Sequence, residues 1–337
     1  MGLPVLLLLV TLLIAAPPPA AQQADGLPAR YGAVVEAYRA GAADAAQEAA
    51  TWPREELTRA PALAAGRGPR FAEAAALLHL RVASNTAASD WARGSAHLDT
   101  ASALVQSLPP EEERFAERYY AVVATLFLAH GDVDGARAWV ERGLQLFEFS
   151  APIRTASGMV EELFAHRADP ECAGLGCPAG AGRTLVPERL RQAAREYELA
   201  LQRDPALAEA RLRRGRVLSL LERDEEAIAD LEPVVSSGTP RQQYLAHLFR
   251  GAIAVRRRDA ATARQSYEAA RALAPGRQTP LLALSHLDES LGDVAAARRL
   301  LAPLAAAAPA AGDPWWSYQN GGLDEETLAW LHDYVRQ

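Results

Sequence analysis

One pattern of small and large apolar positions recurs through the second half of the chain. Ala193, Ala227, Ala263 and Ala297 are spaced by 34, 36 and 34 residues. Four residues after each stands Tyr197, Leu231, Tyr267 or Leu301, and three further on Ala200, Val234, Ala270 or Leu304. Steps of four and three return to one face of an α-helix, so each unit predicts a helix with a narrow apolar stripe. Pro205, Pro275 and Pro309 close three of the units, and Pro240 lies close to the end of the fourth. A second pattern precedes these stripes. Tyr120, Val123, Ala124 and Phe127 predict a first helix, Gly131-Asp132 a turn, and Ala136, Val140 and Gly143 the helix that answers it. Gly215, Gly251 and Ser285 take the small position of the first helix in later units, although Arg211, Arg214, His247 and Arg250 stand where large apolar residues are usual. Small residues on facing helices let two backbones approach closely, and large ones fill the space between neighbouring units.

This period, with Ala-x3-large-x2-small before a closing Pro, resembles the tetratricopeptide repeat (TPR). Weaker units extend it upstream. Residues 31–40 and 42–52 predict a first pair, and 71–83 with 90–108 a second. Residues 152–166 and 187–203 form a pair interrupted by an insertion, with Gly158 in the small position. The reading is all-α, about seven helix pairs. Residues 27–110 are degenerate pairs, 111–309 carry the repeats with the Cys-containing insertion at 168–186, and 310–337 form a C-terminal cap. In that cap Asp324 starts a helix bearing Leu328, Leu331 and Val335, and Trp315 and Trp316 serve either as wedges over the last repeat or as an exposed ligand platform. The resemblance implies a right-handed superhelix whose concave face, lined by the first helix of each pair, binds an extended peptide or a partner helix. On that analogy Leu212, Arg216, Leu248, Ala252, Leu282 and His286 are the groove candidates, and Arg216 is the residue expected to meet an acidic or carboxylate-ended segment. The Lys and Asn carboxylate clamp of some family members has no counterpart. All 35 basic residues are Arg, and the two Asn, Asn85 and Asn320, lie outside the late repeats.

The absence of Lys also excludes a phosphate-loop lysine, a Schiff-base lysine and the kinase strand lysine. A formal net charge of −7 gives no footprint for nucleic acid. At the N-terminus the apolar run 3–16, then Pro17-Pro18-Pro19 and Ala20-Ala21, predicts a signal peptide over 1–21. Its alternative is a retained anchor, because no basic residue precedes the apolar core. Once that segment is removed, no stretch is long and apolar enough to keep the chain in a bilayer. The expected location is therefore periplasmic or secreted. Cys172 and Cys177, in a Gly- and Pro-rich loop, are most simply a disulfide in such a compartment. A metal site drawing on His166, Asp169 and Glu171, or redox chemistry, remains the alternative.

Catalytic signatures are poor. Ser285, His286 and Asp288 are sequence neighbours, but on a helix they point apart and form no relay by themselves. The seven His residues lack metal-ligand spacing. The triplets 111–113, 224–226 and 324–326 each precede an apolar-periodic segment and are expected as first-turn helix acids. Arg213 and Arg214 are expected to pair with Glu209 or Asp230. Together these readings predict a non-catalytic scaffold that binds a protein or peptide, without metal or cofactor. The competing reading is an envelope enzyme, or its accessory subunit, with a site near the Cys172–Cys177 loop and His166.

Overall fold

The structure, a computed structural model, describes residues 20–42, 44–86, 89–167, 185–306, 312–319, 321 and 325–336. Residues 1–19, most of the expected signal peptide, and the Cys172–Cys177 loop lie outside the described residues. The described residues contain helices and turns and no strand.

The N-terminal unit is irregular. α1 (Ala20–Arg39) is answered by a helix of one turn, α2 (Ala45–Ala49), then by α3 (Arg54–Leu57) and α4 (Ala60–Ala64). Prolines explain the breakage. Pro53 precedes α3 and Pro61 sits in its first turn of α4, and neither can continue a helix begun upstream. Six regular hairpins follow. α5 (Pro69–Thr86) packs on α6 (Trp91–Gln106), α7 (Glu113–Ala129) on α8 (Val133–Leu146), and α9 (Ala151–Arg167) on α10 (Leu185–Arg203). Then α11 (Ala208–Leu220) packs on α12 (Asp224–Ser237), α13 (Pro240–Arg256) on α14 (Ala260–Leu273), and α15 (Gln278–Ser290) on α16 (Val294–Ala306). They stack into a right-handed superhelix, in which successive first helices also touch one another, as in α7 with α9 and α11 with α13.

The small positions lie where paired helices come closest. A methyl group added at Gly251 on α13 would stand 2.2 Å from the Tyr267 ring of α14, and one at Gly158 on α9 would stand 2.4 Å from the Tyr197 ring of α10. In the last hairpin the Ser285 hydroxyl fills this place and donates to the Ala297 carbonyl at 3.2 Å. The expected first-turn acids are present at Asp224, Glu225 and Glu226 of α12, while Asp132 and Asp259 cap α8 and α14 through the amides of Gly135 and Thr262.

The C-terminal segment covers apolar surface, as expected of a cap, but not that of the last hairpin, where Leu291 and Val294 stay exposed. Instead α17 (Pro314–Gln319) packs on α13, and α18 (Glu325–Arg336) packs on α7 and α5. The segment runs back along the first helices toward the N-terminus. There the Tyr38 hydroxyl of α1 meets His332 Nδ1 at 3.3 Å, and Arg39 Nε donates to the Val335 carbonyl at 3.1 Å. The hairpins bury two apolar cores. Tyr318 joins the C-terminal core, whereas Leu331 and Val335 join the N-terminal one, so the tail straps both.

Candidate functional site

The first helices carry the most polar part of the interior, and the tail lies on it. On α9, Glu162 is buried and accepts from Tyr197 at 2.9 Å, from Arg213 Nη1 at 3.4 Å and from the Tyr318 hydroxyl of α17 at 2.5 Å. Arg213, fully buried on α11, donates through Nε to Glu209 at 2.8 Å, and its guanidinium lies 4.5 Å from the centre of the Tyr318 ring. Burying so many charged groups is costly unless each is paired. Burial alone would raise the Glu209 carboxyl, but the Arg213 and Arg241 guanidiniums hold it below its ordinary value. Burial likewise opposes the charge on Arg213, and Glu209 overcomes it, holding the guanidinium protonated. Burial first, then the Glu162 charge, pushes both the Tyr197 and Tyr318 hydroxyls well above their usual range, so they act as donors. One guanidinium nitrogen, Nη2 of Arg213, has no hydrogen-bond partner.

A second polar cluster lies where α13 and α15 meet the start of α17. The Asp313 carboxylate, 2% exposed, accepts from the Tyr244 hydroxyl at 2.8 Å, the Thr279 hydroxyl at 2.8 Å and the Thr279 amide at 3.1 Å. It also caps its own helix through the Trp315 amide at 3.0 Å. Trp315 and Tyr318 stack with centroids 6.1 Å apart, both against Phe249 of α13. Arg216 extends over this aromatic group, 5.1 Å from the Phe249 centroid and 5.6 Å from that of Trp315.

The residues expected to line the groove divide three ways. Leu212 and Leu248 are buried in the C-terminal core, because the first-helix stripe that faces the partner hairpin includes them; they offer no groove surface. Ala252 is half-buried, Leu282 is 48% exposed and His286 is exposed. Arg216 does reach the inner face, but an aromatic ring of the same chain, rather than a carboxylate, lies against it. The expected Arg pairings hold: Arg213 with Glu209, and Arg214 with Asp230 through two bonds of 2.7 Å. Ser285, His286 and Asp288 form no relay, since the serine bonds to Ala297 and the aspartate pairs with Arg264. Of the two readings of the paired tryptophans, Trp315 is a wedge on the inner face and Trp316 is half-exposed.

Glu162, Tyr244, Asp313 and Tyr318 carry no repeat signature that marks them as site residues. The Asp313-Pro314 pair was the available signal, a helix cap followed by proline at the first helical position. A carboxylate amid the apolar face of residues 159–165 was another. The Cys172–Cys177 pair and His166, on which the enzyme and disulfide readings rest, provide no side-chain geometry because they fall outside the described residues or side chains.

The sequence matches no family model and no curated protein. Among solved structures the chain is similar to PilW, a widely conserved type IV pilus biogenesis factor. The TM-score is 0.52 at 16% identity, over 72% of this chain and 97% of that one. It is also similar to a monomeric mutant of IFIT1 with Gppp-AAAA, at TM-score 0.48 and 14% identity, over 81% of this chain and 65% of the IFIT1 chain. At this identity the likeness to PilW shows the fold alone, a superhelix of helical hairpins.

Proposed function

We propose that the protein is a non-catalytic scaffold, exported to the periplasm or beyond, that binds a segment of another protein along its inner face. The observation that carries this reading is that the inner face already holds two stretches of the chain's own, residues 312–319 and 325–336, by side-chain contacts from α1 to α15. A face able to bind one helical segment through hydroxyls, a buried carboxylate and guanidiniums is suited to protein recognition. The likeness to PilW, itself a pilus biogenesis factor, is consistent with an envelope role. Export rests on the apolar N-terminal run, and no described helix is long and apolar enough to cross a membrane.

A photo-crosslinking residue placed at Leu282, exposed on a first helix, should capture a discrete partner in intact cells. The same residue at Leu199, exposed on the second helix α10, should not. Identical products from both positions would remove the inner face as the binding surface.

A further inference from the structure

We propose that residues 312–319 hold the place of an external ligand. On this view the inner face over α11, α13 and α15 recognises a segment in which a carboxylate precedes aromatic residues by two and five positions, and such a partner displaces the chain's own. This rests on the reading of the inner face as the binding surface and adds the chemistry of what it binds.

The receptor for the carboxylate is made of polar groups drawn from two helices. Tyr244 and Thr279 belong to consecutive first helices, yet their donors converge on the Asp313 oxygens. With Asp313 gone, the Thr279 amide in the first turn of α15 would lose its carboxylate acceptor, and the buried Tyr244 hydroxyl would keep only the Thr279 hydroxyl as a partner. The aromatic receptor is equally specific. Phe249 presents a ring to both Trp315 and Tyr318, Arg216 covers Phe249 and Trp315, and Glu162 receives the tyrosine hydroxyl at the far end. A segment that served only to close an apolar seam would need none of these polar groups, which are expensive to bury.

Displacement has a physical route. A tethered segment competes at an effective concentration of the order of millimolar, so a partner present at micromolar levels displaces it once its intrinsic affinity is about a thousandfold higher. The chain's own segment also leaves Arg213 Nη2 buried and unpaired beneath Tyr318. A partner that brings an acceptor to that nitrogen makes a bond the resident segment lacks.

The test uses the full chain and a fluorescein-labelled synthetic peptide, Gly-Asp-Pro-Trp-Trp-Ser-Tyr-Gln, the sequence of 312–319. The chain carrying Asp313→Asn and Trp315→Ala, with its own segment weakened, should bind the peptide at least tenfold more tightly than the unaltered chain. Replacing the peptide's Asp by Asn, or adding Tyr244→Phe or Arg216→Ala to the protein, should weaken binding by a similar factor. Equal binding to the altered and unaltered chains, or none to a folded altered chain, would overturn the proposal. If that variant fails to fold, hydrogen exchange on the unaltered chain decides. Peptide at several millimolar, above the effective concentration of the tethered segment, should speed exchange of the amides of 315–319, and unchanged rates would overturn the proposal. Dimers of the unaltered chain that vanish with Asp313→Asn would assign the face to the tail of a second copy and overturn it as well. A discrete crosslink from Leu282 in cells, with no peptide binding, would fault the ligand chemistry alone and leave the scaffold reading standing.

Discussion

Glu73 on α5 is fully buried and pairs with Arg70 Nη1 at 3.1 Å. Burial first, and then the neighbouring Glu112 carboxylate, push its carboxyl up to about 8 against the pull of Arg70. Glu112 is held below its ordinary value, chiefly by the hydroxyl of Tyr334 on α18, which donates to it at 2.6 Å. A proton on Glu73 therefore relieves the crowding of two carboxylates under the tail. Because the folded value lies above the unfolded one of 4.5, the folded state binds more protons between them. That contribution is complete below about pH 4.5 and is lost as the pH rises through about 8. Denaturant titrations should give a stability about 2–4 kcal/mol lower at pH 8.5 than at pH 5 from this group. Glu73→Gln should remove most of that difference, and an unchanged pH profile in the variant would assign the dependence elsewhere.

At the level of helices, the turn inside each hairpin shows how a repeat tolerates imperfect sequence. Gly131 and Gly292 adopt positive φ between the two helices of their hairpins, and Glu222 and Arg258 occupy the equivalent places with φ of 60°. A residue with a Cβ is strained there. Arg258→Gly should therefore stabilise the protein by about 0.5–1 kcal/mol, part of the relief being offset by the greater freedom of glycine when unfolded. A chemical denaturation midpoint that falls would mean the Arg258 side chain holds the turn. The hairpins themselves were legible because their information is local: Gly251 and Tyr267 meet across one turn, and the alanine spacing reports it directly. The fragments α2 to α4 were less legible, since prolines set their boundaries without a periodic stripe. Leu212 and Leu248 lie in the core rather than on the groove face that the sequence suggests, for a related reason. Their neighbours Arg213, Arg216 and His247 blur the polar side of α11 and α13, so the stripe could not be oriented from the sequence.

Over the whole molecule, the path of the tail had no signature a period could reveal. Tyr38 of α1 and His332 of α18 meet although they are 294 residues apart. An open repeat array unfolds as a sum of neighbouring units, but a strap that belongs to both cores couples them. The unaltered chain should thus lose far-UV ellipticity and tryptophan emission in one transition. Leu331→Ala, removing a buried side chain of α18, should cost about 2–4 kcal/mol and separate the two. Coincident transitions in that variant would show that the hairpins couple without the strap. The same long reach also sets an order of events in time. The six hairpins close through local contacts and can form as they are synthesised, N-terminal first, whereas α17 and α18 are made after all six. Until α17 and α18 have been made, Glu162, Tyr244 and Thr279 line an open surface, so each newly made molecule passes through an interval in which a chaperone or partner meets the inner face with no internal competitor.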